Sequence, residues 1–218
     1  MTKKIKAIAF DLDGLMVNTE DVYDQVCDIL LEKRGHQFTR ELKLMMMGRP
    51  GPEATAIMKR ELDLQDSVTV LQEEVQDLFH EIMPNVVQRL PGLCELLQYL
   101  EEKRMPLCVA TSSFRRHATS VLTHCELHAH FDFVLTCEDV NRGKPDPEIY
   151  LLAADKHQVS PKEMLVLEDS VQGSKAGAAS GAVTVAVPGS HSIGCDYGHV
   201  EHVAESLHDP LIYELLER

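Results

Sequence analysis

The sequence predicts an α/β fold: a doubly wound parallel sheet with a Rossmann-like core, interrupted by an all-helical insert. Three observations carry that prediction. Five short apolar runs read as buried strands, helical patterns separate the later runs, and the first two runs lie much farther apart than a strand-to-strand crossover requires.

The strand-like runs are Ile5 to Phe10, Pro106 to Ala110, Phe131 to Thr136, Met164 to Leu167 and Val183 to Val187. Each is short and largely apolar, as strands covered on both faces are. Leu93, Leu96, Leu97 and Leu100 recur at helical spacing before the second run. Ile149, Leu152 and Ala153, and then Val171 to Ala179, give helices between the later runs. The interval from Gly14 to Met105 holds helical spacing at Val22, Val26, Ile29 and Leu30, and again at Leu71, Val75, Leu78, Phe79 and Ile82, with no strand-like alternation. Its exits are expected at Leu15 to Thr19 and at Pro84 to Gly92, where prolines and a glycine punctuate the pattern. The expected division is residues 1–15 and 88–218 as an α/β core and 16–87 as a helical lid.

Composition narrows the function classes. The 218 residues include 44% hydrophobic and 26% charged side chains, an ordinary balance for a folded globular chain. A net charge of −14 opposes binding to duplex nucleic acid or to an anionic membrane surface. No apolar stretch approaches the about 18 residues of a membrane span, and the N-terminal segment does not read as a signal peptide. Six cysteines, none in a C-x-x-C pair, are expected to be reduced. The expectation is a cytoplasmic monomer.

Four segments carry chemistry. Ile8-Ala9-Phe10-Asp11-Leu12-Asp13-Gly14 delivers two carboxylates, one residue apart, onto a glycine turn at a strand end. Like charges so close require a cation, a shared proton or both. Val109-Ala110-Thr111-Ser112-Ser113 ends the second strand in hydroxyls and amides able to hold a phosphate. Gly143-Lys144-Pro145-Asp146-Pro147 stiffens the backbone around a single lysine. Leu165-Val166-Leu167-Glu168-Asp169-Ser170 ends a strand in two more carboxylates, which with Asp11 and Asp13 make an oxygen-only cage suited to Mg²⁺.

In that order, FDLDG, ATSS, GKPDPEIY and LEDSVQG resemble the four signature motifs of the haloacid dehalogenase superfamily, and the helical insert looks like its type 1 cap. The resemblance implies a Mg²⁺-dependent phosphatase acting on a small phosphorylated metabolite such as a sugar phosphate or nucleoside monophosphate. Asp11 would be the nucleophile, forming an aspartyl-phosphate; it is expected to be ionised at neutral pH. Asp13 would be the acid and base, its pKa raised by proximity to Asp11. Leu12, Asp13, Thr111, Ser112 and Lys144 would surround the phosphate. The cation would be held by the carboxylates of Asp11, Glu168 and Asp169 and by the backbone carbonyl of Asp13.

Substrate choice would fall to Glu20, Tyr23 and Arg49 in the cap. Phosphomutases resembling β-phosphoglucomutase carry a histidine where Tyr23 stands, which speaks against the mutase alternative; a binding protein that has lost turnover is a further one. Asn18 replaces an aspartate usual near this hinge, which puts hydrogen bonding there in question. Outside the motifs, His124, Cys125, His128 and His130, and separately Cys195 with His199, lack a second cluster to complete a metal site. Met45-Met46-Met47 reads as packing within the cap.

Overall fold

The computed structural model describes residues 4–46, 51–192 and 194–217. It contains two compact units, one made of Met1–Asn18 with Gln88–Arg218, the other of Thr19–Val87. The first unit holds β1 (Ala7–Phe10), β2 (Leu107–Ala110), β3 (Phe133–Leu135), β4 (Met164–Glu168), β5 (Val183–Ala186) and β6 (His202–Val203). These pair in parallel in the order β3-β2-β1-β4-β5-β6. β6 is absent from the sequence reading because two residues at a sheet edge generate no readable period. Phe131 stands outside β3, where its ring meets that of Phe10 edge to face at 5.7 Å.

Helices of this unit are α5 (Leu93–Glu102), α6 (Arg115–His124), α7 (Glu148–Lys156), α8 (Val171–Ser180) and α9 (Pro210–Leu216), numbered after the four of the second unit. On one face of the sheet, Ala7, Ala9, Cys108, Ala110 and Val166 form a core with Ile149, Tyr150 and Ala153 of α7 and Ala176 of α8. Small side chains on the central strands let those helices sit close. Ile8, Phe10, Val109, Leu165 and Leu167, of the opposite parity, are just as buried. Coverage of both faces is what a parallel sheet requires, and it explains why the strands read as continuous apolar runs.

The second unit comprises α1 (Thr19–Glu32), α2 (Arg40–Met46), α3 (Gly51–Glu61) and α4 (Val68–Val86). Val22, Val26 and Leu30 of α1 and Leu71, Leu78 and Phe79 of α4 are buried, so the spacing seen in the sequence marks the packed stripes. Arg34, just beyond α1, binds Asp66 at 3.0 Å and Glu74 at 2.6 Å and donates to Leu30 O at 2.9 Å. Pro84 lies inside α4 rather than ending it. Its ring removes one N–H from the ladder only two residues before the helix ends, and Val87 N beyond it still donates to Met83 O at 2.9 Å. The methionine run does not fill a core: Met45 is exposed and Met46 half-buried, while Met47 lies outside the described residues.

The helical unit starts at Thr19 rather than at residue 16, because the preceding three residues are tied to the core. Val17 bridges to both Asp13 and Arg89. Leu90 N donates to Met16 O at 2.8 Å and Asn18 N to Gln88 O at 3.2 Å. The Asn18 side chain retains a hinge bond, since its Oδ1 accepts from Gln88 N at 2.6 Å. Among the described residues no helix is long and apolar enough to cross a membrane.

Candidate active site

The strands β1, β2 and β4 end at one sheet edge; from β1 the chain winds to β2 and β3 on one side and then crosses to β4 on the other. Such a switch point is where open α/β sheets bind ligands. Asp11 follows β1 directly, and its N–H donates to Leu167 O at 3.0 Å, fastening the turn to β4. Lys144 comes from the connection between β3 and α7. Its Nζ lies 2.6 Å from Asp11 Oδ1, 2.6 Å from Glu168 Oε1 and 2.8 Å from Ala110 O. With a side chain only 4% exposed, this ammonium has little access to water, and each of its three protons has an oxygen to meet.

Glu168, at the end of β4, is held on both oxygens. Tyr150 OH donates to Oε1 at 2.8 Å, while Ser170 N and Oγ donate to Oε2 at 3.2 and 3.0 Å. The first turn of α8 comes so close that a Cβ at Gly173 would stand 1.6 Å from Glu168 Oε1. Gly14, at φ +83°, brings its backbone equally near Asp169, where a Cβ would fall 2.4 Å from Oδ2. Both positions therefore demand glycine. Tyr197 OH donates to the backbone carbonyl of Asp169.

Asp11, Glu168 and Asp169 each offer an oxygen within 4.8 Å of the others, and among the described residues theirs is the only such grouping of three His, Cys, Asp or Glu. Three carboxylates face one buried ammonium, so negative charge is in excess and the donors are all oxygen. That set fits a hard divalent cation. Burial, reinforced by Glu168 and Asp13 and opposed by Lys144, pushes the Asp11 carboxyl well above the usual carboxylate range. That direction runs against the expectation of a freely ionised Asp11. Burial works against the Lys144 charge, but Asp11 and Glu168 outweigh it and hold the group above the usual lysine range. Burial, then Glu168, raises the Tyr150 phenol.

Asp13 occupies a different environment from Asp11. Ser113 Oγ and Thr111 Oγ1 donate to its Oδ2 at 2.7 and 3.2 Å, and His117 Nε2 stands 2.9 Å from Oδ1. Ser113 N also donates to Thr111 Oγ1 at 3.0 Å. Two carboxylates one residue apart are therefore separated chemically: one beside an ammonium and two acids, the other against two hydroxyls and an imidazole.

The Haloacid dehalogenase-like hydrolase family matches residues 8–187, from β1 past the end of β5. The chain belongs to this family. A phosphorylated carbohydrates phosphatase of Thermotoga maritima is 32% identical over 177 residues, 81% of this chain and 82% of its own. Validoxylamine A 7′-phosphate phosphatase of Streptomyces hygroscopicus subsp. limoneus is 31% identical over 220 residues, 97% of this chain and 95% of its own. The solved β-phosphoglucomutase of Clostridium difficile shares the fold at 21% identity, with a TM-score of 0.80 over 98% of this chain and 97% of that one.

In this haloacid dehalogenase-like hydrolase, Asp11, Asp13, Thr111, Lys144, Glu168 and Asp169 all belong to the sheet-edge cluster. Leu12 is buried between the two aspartates, and Ser112 is exposed between Thr111 and Ser113. Glu20 and Tyr23 belong to α1 in the helical unit, where the Tyr23 ring packs 4.8 Å from that of Phe79. Arg49 lies outside the described residues. His124, His128 and His130 are exposed and form no ligand group with Cys125. His199 Nε2 stands 2.9 Å from Ser174 Oγ, and Cys195 is exposed. The sequence reading did not assign roles to Ser113, His117, Tyr150, Ser170, Gly173 or Tyr197. Ser113, Tyr150, Ser170 and Gly173 stand within the motif strings, and His117 is a polar residue on the buried stripe His117, Ala118, Val121 and Leu122.

Proposed function

We propose that this chain is a Mg²⁺-dependent phosphatase that hydrolyses a small phosphomonoester through an aspartyl-phosphate on Asp11. The observation that carries the reading is the unequal pair Asp11 and Asp13. Asp11 touches the ammonium of Lys144 and lies in the three-carboxylate group, whereas Asp13 is gripped by Ser113, Thr111 and His117. An attacking group and an acid–base group need such different surroundings.

In this reading, an Asp11 carboxylate oxygen attacks phosphorus, and the P–O bond to the leaving group breaks as Asp13 gives that oxygen its proton. Asp13 then takes a proton from the water that attacks the aspartyl-phosphate, and phosphate departs. Lys144, Thr111 and Ser112, with the backbone around Leu12 and Asp13, surround the transferring oxygens, and phosphoryl transfer gains most of its rate from such positioning. The carboxylates of Asp11, Asp169 and Glu168 and the Asp13 carbonyl would hold Mg²⁺. When bound, the cation supplies positive charge that lets Asp11 ionise and neutralises phosphate oxygens.

The helical unit, with Glu20, Tyr23 and Arg49, is assigned substrate choice. The phosphatase relatives support a sugar phosphate, a nucleoside monophosphate or a similar metabolite as substrate. The shared fold keeps a hexose phosphomutase as the second reading; Tyr23, where those enzymes carry histidine, favours the phosphatase. The net charge of −14 supports a small partner rather than nucleic acid or membrane, and the chain is assigned to the cytoplasm as a monomer. The test is phosphate release across sugar phosphates, nucleotides and other phosphomonoesters, with Mg²⁺ or EDTA. Metal-dependent release that Asp11→Asn abolishes is expected. Conversion of a hexose 1-phosphate to its 6-phosphate without release would replace this reading by the mutase.

A further inference from the structure

We infer that His117 is a positioning residue for Asp13, fixing the orientation in which its carboxyl meets the leaving group; this rests on the phosphatase reading above. The residue stands in the first turn of α6, on the stripe that also buries Ala118, Val121 and Leu122. Helical side chains lean toward the N-terminus. A long side chain at this position therefore reaches back to the end of β2, where Thr111 and Ser113 already hold Asp13. Nε2 lies 2.9 Å from Asp13 Oδ1, with the imidazole only 3% exposed and the carboxyl 18% exposed.

A histidine on an apolar helix face costs desolvation unless its ring nitrogens find partners. Leucine there would satisfy packing alone, so packing does not explain the imidazole. The spacing of its partners does. Thr111, Ser113 and His117 come from one continuous segment, and together they engage both oxygens of one carboxyl: the hydroxyls hold Oδ2, the imidazole Oδ1. Two hydroxyls on one oxygen leave the carboxyl plane free to swing about that edge. A hydrogen-bond partner on the other oxygen removes the swing.

The consequence belongs to the proton step. A leaving group that needs a proton depends on the direction in which Asp13 presents it, whereas one that departs readily as an anion does not. Phenyl phosphate releases a phenol of pKa about 10, like a tyrosine side chain. p-Nitrophenyl phosphate has the same shape at the reacting end and a leaving group that needs little help.

The experiment compares kcat/KM for these two esters, with Mg²⁺, in the full chain and its His117→Leu, His117→Asn and His117→Gln variants. In His117→Leu, a loss of about tenfold or more on phenyl phosphate is expected, against less than about threefold on p-nitrophenyl phosphate, a fraction of what a whole acid contributes. His117→Asn, polar but too short to reach Oδ1, should show the same selective loss if the leucine variant does not fold. His117→Gln, whose amide N–H reaches about as far as Nε2, should restore the ratio. Equal losses on both esters, or none, would overturn the inference and leave the phosphatase standing. A wild-type chain that releases phosphate from neither ester and from none of the sugar phosphates or nucleotides would overturn the reading beneath it.

Discussion

Gly173 shows how narrowly the site is specified by single residues. Its missing side chain is what allows α8 to begin against Glu168, and Glu168 in turn anchors Lys144 on Asp11. Gly173→Ala places a methyl where a carboxylate oxygen already sits, so either the helix or Glu168 must move. A loss of about 1–3 kcal/mol in stability is expected, of the order seen for overpacked sites. Phosphatase activity should fall with it, because Lys144 loses its second anchor. Urea denaturation and a phosphate-release assay on one preparation measure both. An alanine variant as stable and active as the wild type would show that the close contact is not required.

At the level of elements, the helical unit carries a charge network that depends on pH. Arg34 ties the end of α1 to Asp66, ahead of α4, and to Glu74 within it. The guanidinium holds both carboxyls below their usual range. A carboxyl with a depressed folded pKa contributes stability above its unfolded value, about 4.3 for glutamate, and loses it as pH falls through the folded one. Amide protection factors in α1 and α4, corrected for the intrinsic pH dependence of exchange, should therefore fall between about pH 5 and pH 3. In Arg34→Ala that dependence should flatten, while exchange in β1 and β4 stays as it was. An unchanged pH profile in the variant would assign the acid sensitivity elsewhere.

Legibility in the sequence also differed by element. The five longer strands and the stripes of α1 and α4 were readable because burial on two faces, or on one helical stripe, leaves a period. β6 and the continuation of α4 through Pro84 were not, since two edge residues have no period and a proline in a last turn breaks little. In the site, strand-end carboxylates, hydroxyls and a proline-flanked lysine stood out by residue type. Tyr150 and Gly173 stood inside the motif strings without a readable role, and Tyr197 stood outside them, because what each does depends on which atoms folding brings against it.

Over the whole molecule, the site concentrates uncompensated negative charge at a place the fold must bury. Asp11 is buried within it, and its raised pKa means that its contribution to stability without added metal is present at low pH and lost as pH rises through the folded value. Asp11→Asn should therefore raise the melting temperature in EDTA at neutral pH, by a few degrees for about 1 kcal/mol. Added Mg²⁺ should raise the wild-type melting temperature and move the variant much less, since a ligand stabilises only the state that binds it. Calorimetric scans of the two proteins with and without Mg²⁺ measure this. A variant that melts lower than the wild type in EDTA would show that Lys144 fully offsets the burial of Asp11.

The paired segments at Asn18 and Gln88 bear on how such a molecule is put together. Chain leaving the core at Asn18 and chain returning at Gln88 are already joined by backbone and side-chain hydrogen bonds. The 69 residues from Thr19 to Val87 therefore hang from one doorway. Replacing residues 19–87 by another segment with neighbouring ends thus leaves the register of the sheet undisturbed.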